Sequence, residues 1–133
     1  MTLPVADQRL PGACLFADDV LGGFFALNGG AFDAQPGHVQ YFAPDTLNWE
    51  NLQMSFSQFL VWVASENLTS FYQSLRWQGW QEEVREMSGD KGLSIYPFLW
   101  VEGPPVAERS KKAVPIQELW GVQMEMREQM TRA

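Results

Sequence analysis

Asp18 to Trp49 reads DDVLGGFFALNGGAFDAQPGHVQYFAPDTLNW, and this stretch decides the fold. Asp18 and Asp19 predict a turn, because aspartate bonds its own backbone two residues on. Leu21-Gly22-Gly23 and Phe24–Leu27 read as a strand, with the glycines allowing a bulge or a close backbone approach. Asn28-Gly29-Gly30 is a hairpin signal, since Asn and Gly accept positive φ cheaply. A loop over 31–37 follows, then a third strand, His38 to Ala43. Val39 and Phe42 fall nearly on opposite faces of it, so both faces expect cover. Pro44-Asp45-Thr46 ends the strand, and Leu47 and Trp49 lead toward the first helix.

Upstream, residues 1–11 read as a loose lead-in and 12–17 (GACLFA) as a buried strand. Downstream, Ser55-Phe56-Ser57-Gln58 is a capping box, in which the Ser55 hydroxyl and the Gln58 side chain each satisfy the other's amide. The helix it opens spans about 56–65, with Phe56, Phe59, Leu60 and Val63 as a core stripe at i, i+3, i+4 and i+7. A second helix, 68–75, is capped by Asn67 and presents Leu68, Phe71, Tyr72 and Leu75. A third, about 77–87, buries Trp77, Trp80, Val84 and Met87, with Gly79 weakening it. Residues 92–100 (GLSIYPFLW) read as a fourth strand that must bend or lie at an edge at Pro97. A polar loop covers 102–112, and a last helix spans about 115–131 from Pro115. The expected fold is α+β: one domain, with a mainly antiparallel sheet of about four strands and three to four helices packed largely on one side.

With 133 residues, one domain can bury roughly two-thirds of its unfolded surface. Six Trp and nine Phe put aromatic rings at the centre of that core. The formal charge of −7 argues against nucleic acid and anionic membranes, and fits a basic protein partner. Cys14 is the sole cysteine and sits in an apolar run, as a small buried hydrophobe does. The N-terminal residues lack a signal-peptide pattern, so a cytoplasmic location is expected.

Catalytic patterns are weak. The glycine pairs match no phosphate loop. His38, the sole histidine, has no companion ligands, so neither a metal nor a cofactor is expected. Asp18, Asp19, Asp45 and Glu50 lie at strand ends or in loops, where a scaffold presents functional groups. They are the candidate partner-binding residues. Two of them converging in a cleft would instead support a small hydrolase. Met124, Met126 and Met130 suit a half-buried terminal helix, and Arg109, Lys111 and Lys112 a solvated loop.

Taken in order, DDVLGGFFALNGGAF, YFAPDTLNWENL, SFSQFLVW, FYQSLRWQGWQEEV, GDKGLSIYPFLW and VPIQELWGVQ closely resemble the bacterial family catalogued as domain of unknown function 2625. The resemblance covers Gly12 to Gln123. The hairpin leading through a strand into a helix that begins Ser-Phe is more remotely similar to the SUKH superfamily. Several SUKH proteins are immunity proteins that bind toxins, and others serve in cell-wall or secretion-related complexes. The resemblance implies an α+β fold and a binding role without catalysis. A structural accessory protein, working as a homodimer through an exposed sheet edge, is a separate alternative. Members of the closer family usually carry a longer N-terminal region, so a shortened variant or a fragment is expected here.

Overall fold

A computed structural model describes residues 10–132, so most of the expected lead-in lies outside the described residues. The fold is α+β. A four-stranded antiparallel sheet has the order β1-β2-β3-β4, from β1 (Ala13–Asp18), β2 (Phe24–Asn28), β3 (Val39–Ala43) and β4 (Asn48–Asn51). A separate antiparallel pair joins β5 (Lys91–Tyr96) to β6 (Ser110–Pro115). The helices are α1 (Phe56–Val63), α2 (Asn67–Tyr72), α3 (Trp80–Arg85) and α4 (Ile116–Arg132). The chain divides into two compact units. One holds residues up to Asp18, Phe24–Phe42 and Trp49–Ser74. The other holds Asp19–Gly23, Ala43–Asn48 and the chain from Leu75 onward.

In the first unit, β2 and β3 pair Phe24 with Phe42 and Phe25 with Tyr41. Because successive side chains alternate, Phe25 and Tyr41 share one face. The rings of Phe16 and Phe25 lie 5.0 Å from Phe59 of α1, and Tyr41 lies 4.9 Å from Phe71 of α2. Both helices therefore cover this face. On the other face Phe42 packs on Trp49 at 5.2 Å, and Trp49 on Phe32 at 4.9 Å. Every residue of β3 is buried, as a strand covered on both faces requires. Asn28 shapes the 29–37 loop: its Nδ2 donates to the Phe32, Ala34 and Gln35 carbonyls, and its Oδ1 accepts from the Gly30 and Phe32 amides.

The capping box forms as expected, with the Gln58 amide on Ser55 Oγ at 3.3 Å and the Ser55 amide on Gln58 Oε1 at 2.8 Å. The α1 stripe is only half covered. Phe59 is buried, whereas Leu60 and Val63 are exposed. Asn67 does not cap α2 with its side chain. The Ser65 hydroxyl accepts the Asn67 amide at 3.2 Å instead.

The second unit departs further from the expectations. α3 starts at Trp80, because Gly79 takes a left-handed φ of 85° and stands before the helix rather than inside it. Trp77 is then a buried residue of the preceding turn, its Nε1 donating to Glu83 at 3.2 Å. The expected strand over 92–100 stops at Tyr96, and the Tyr96–Pro97 peptide is cis. β4 and β6 stand where only connecting loop was expected. NWEN and SKKAVP carry few β-formers, and backbone pairing rather than side-chain pattern makes them strands. The fourth strand of the main sheet is thus β4, not the segment after Gly92.

Candidate binding site

Gly92 sets the geometry of the second unit. A Cβ built there would lie 2.5 Å from Leu119 Cδ1 and 2.8 Å from Ile116 Cδ1, so only glycine lets α4 approach β5 this closely. Two hydrogen bonds fix α4 further. Gln123 is 2% exposed, and its Nε2 donates to the Gly22 carbonyl at 2.8 Å. One turn later, Arg127 Nε donates to the Leu47 carbonyl at 3.1 Å. Leu47 is buried with φ 59°, a left-handed conformation uncommon for a bulky residue.

Between β5, the segment after it and α4 lies a cavity of about 150 Å³. Its apolar walls are Leu21, Pro44, Leu93, Ile95, Phe98, Leu99, Trp100, Val114, Leu119 and Val122, and its polar lining is Ser94, Glu118 and Gln123. A cavity of this size and lining has room for a benzene-sized guest. Glu118 and Val122 are exposed, which places them at its mouth.

The segment after β5 carries an aromatic ladder. Tyr96 and Phe98 meet edge to face at 5.6 Å, and Phe98 and Trp100 stack at 4.6 Å, only 5° from parallel. Tyr96 is 64% exposed. Arg109 pins the ladder. Its Nε donates to the Pro104 carbonyl at 2.7 Å, Nη1 to the Pro97 and Phe98 carbonyls, and Nη2 to the Val101 carbonyl at 3.2 Å. A planar guanidinium carries five donors in a rigid fork, so one side chain satisfies several carbonyls in a fixed geometry. Lys111 Nζ donates to the Arg109 carbonyl at 2.9 Å and lies 4.8 Å from the Trp77 ring. A second depression, about 250 Å³, is formed by the short stretch Trp77 to Glu82 alone.

The four carboxylates singled out from the sequence fall elsewhere. Asp18 is the exposed last residue of β1, and Glu50 is exposed on the edge strand β4. Asp19 is a turn residue whose Oδ1 accepts the Leu21 amide at 3.0 Å and the Gly23 amide at 2.7 Å. Asp45 is half-buried in the turn between β3 and β4. Asp18 and Glu50 belong to the first unit and Asp19 and Asp45 to the second, and none lines either cavity. His38 is half-buried at the foot of β3, where its backbone closes the turn to Gln35. Among the described residues, no three His, Cys, Asp or Glu side chains gather to hold a metal ion. Nor is any helix among them long and apolar enough to cross a membrane. Asp90, which is fully exposed, has its carboxyl held below the usual range by the Ser88 hydroxyl, which donates to it at 2.6 Å.

Sequence reading missed Arg109, which it placed in a solvated loop, and the ladder, which it placed in a strand. The signal available was the i, i+2, i+4 spacing of Tyr96, Phe98 and Trp100 across a proline.

Fold and cavity together define a small α+β protein with an apolar recess whose walls include Phe98 and Trp100. The chain belongs to the family described as "Protein of unknown function DUF2625", which matches residues 3–119. It is 47% identical to the uncharacterized protein YbfG of Escherichia coli (strain K12) over 116 residues, 87% of this chain and 53% of that protein. An uncharacterized protein of Haemophilus influenzae is 37% identical over 108 residues, 80% of this chain and 47% of its own length. The chain spans about half the length of these curated relatives. No solved structure matches it.

Proposed function

We propose that this chain is a non-catalytic binding domain that engages a protein partner in the bacterial cytoplasm. In this reading an apolar partner side chain seats in the recess beside Phe98 and Trp100. The observation that carries it is the stacked pair Phe98 and Trp100 in the wall of an apolar cavity, its backbone held by the four-carbonyl fan of Arg109. Rigid, partly exposed aromatics beside a pocket are the usual anchors of protein interfaces, because they bury much area at little entropic cost. Glu118 is the one charged residue of the lining, and the chain carries −7 overall, so basic residues should flank the anchor. The remote resemblance to SUKH proteins, several of which act by binding toxins, supports the same role.

The test begins with a photo-crosslinking residue in place of Tyr96 in the native host, to trap and identify the partner. Its affinity is then measured for Tyr96→Ala and for Val122→Trp, which plugs the mouth. Each should weaken binding by about 10- to 100-fold, the range of an interface anchor. A trapped partner that binds both variants as tightly as the parent refutes the site. Self-association in sedimentation, lost in the same variants, would favour the homodimeric alternative.

A further inference from the structure

Asn28-Gly29 carries a chemistry that partner binding does not use. An asparagine side chain is an electrophile at Cγ, and the backbone nitrogen of the next residue is the nucleophile nearest to it. Their union closes a cyclic imide. Glycine in the next position has no side chain to hinder the attack, and its backbone turns freely. Asn48, Asn51 and Asn67 are followed instead by Trp49, Leu52 and Leu68. In the fold both reacting groups are tied. The Gly29 amide donates to the Gly12 carbonyl at 2.8 Å. Asn28 Nδ2 donates to the Ala34 carbonyl at 2.7 Å, and Oδ1 accepts the Gly30 amide at 2.9 Å. The Asn28 main chain is held as well, its amide on the His38 carbonyl at 3.0 Å and its carbonyl on the Gly37 amide at 2.8 Å. Asn28 is 4% exposed. Ring closure therefore requires the 29–37 loop to open.

We propose that Asn28-Gly29 is a self-modification site, silent in the closed fold and released by opening of the 29–37 loop. On opening, the Gly29 nitrogen bonds to Asn28 Cγ and the Cγ–Nδ2 bond breaks. The side-chain nitrogen leaves as ammonia, carrying the Gly29 amide proton. Water then opens the imide, its hydroxyl going to the attacked carbonyl carbon and its proton to the imide nitrogen. Attack at Cγ leaves aspartate. Attack at the main-chain carbonyl leaves isoaspartate, with Gly29 linked through Cγ. Nothing is oxidised or reduced, and water is the co-reactant. Neither product refits the site. Aspartate sets a carboxylate against the Phe32, Ala34 and Gln35 carbonyls. Isoaspartate adds a methylene to the main chain at the last residue of β2, where Asn28 pairs with Ala13 of β1. An opening that reacts is thus recorded covalently. The site lies in the first unit and is independent of the cavity in the second.

The experiment holds the whole chain in mildly alkaline buffer, folded in one arm and unfolded in urea in the other. Peptide mass spectrometry follows replacement of the Asn28 amide nitrogen by oxygen. In the unfolded arm Asn28 should react faster than Asn48, Asn51 and Asn67. In the folded arm it should react at least about a hundredfold more slowly than when unfolded, because reaction passes through the open fraction. Phe32→Ala removes a ring that packs on Trp49 at 4.9 Å and leaves both reacting groups in place. It should speed the folded reaction by about tenfold. Equal rates in the two arms overturn the proposal, as does an unchanged rate in that variant. So does an unfolded Asn28 that reacts no faster than the other asparagines. Reacted chain, separated and returned to buffer, should fail to fold or show a lower urea midpoint than the parent. A midpoint equal to the parent's overturns the covalent record.

Discussion

Replacing Gly92 by alanine adds one methyl group where the structure has no room for it. The new Cβ would lie 2.5 Å from Leu119 Cδ1, 2.8 Å from Ile116 Cδ1 and 3.3 Å from the Val20 carbonyl oxygen. Gly92 sits in a strand at ordinary φ, so alanine's lower unfolded-state entropy works in its favour by about 0.5–1 kcal/mol. Overpacking a closed site costs about 1–3 kcal/mol. The clash involves two side chains of one helix, which must shift together or push the helix away, so sterics should win by about 1–2 kcal/mol. In urea this is a fall in midpoint of about 0.5–1.5 M at unchanged slope. Leu119→Ala removes the closest atom. It should be costly alone, by about 2–4 kcal/mol, yet Gly92→Ala added to it should cost under half of what it costs in the parent. The assay is a double-mutant cycle by urea unfolding. Gly92→Ala as stable as the parent, or an equal cost in both backgrounds, would refute the close-approach argument.

Three further outcomes follow from single hydrogen-bonding groups. Gln123→Leu leaves the Gly22 carbonyl without its buried donor and should lower stability by about 1–3 kcal/mol in chemical unfolding. Asn28→Asp keeps the acceptor for the Gly30 and Phe32 amides but sets a carboxylate against the Phe32, Ala34 and Gln35 carbonyls. It should therefore destabilise more than a neutral loss of about 1 kcal/mol per bond implies, and the loss should shrink at acid pH as the carboxylate protonates. Ser88→Ala should raise the Asp90 pKa toward the ordinary carboxylate value, read by NMR titration. Because that pKa is depressed in the fold, its contribution to stability is present above the ordinary carboxylate range and is lost as pH falls through the folded value.

Much of the first unit was legible in the sequence. Asn28-Gly29-Gly30, the β2 and β3 runs and the Ser55–Gln58 box are local signals, and each forms locally. β4 and β6 were not legible. Asn48–Asn51 and Ser110–Pro115 become strands by pairing with a neighbour, and their side chains give little alternation to read. The period of α1 named its apolar residues correctly but could not say which of them the fold would cover. Arg109 was missed for a related reason. Its partners are backbone carbonyls up to twelve residues away, and these have no signature in residue type.

Gln123 and Arg127 stand one helical turn apart on α4, and each holds the carbonyl of a turn made far earlier in the chain, at separations of 101 and 80 residues. During synthesis at about 5–20 residues per second, Gly22 waits roughly 5–20 s before its donor has been translated. The bonds that Asp19 accepts from the Leu21 and Gly23 amides are local and need no later part of the chain, whereas the bond to the Gly22 carbonyl needs α4. The same turn is therefore tied twice, once within the reach of a few residues and once across most of the chain.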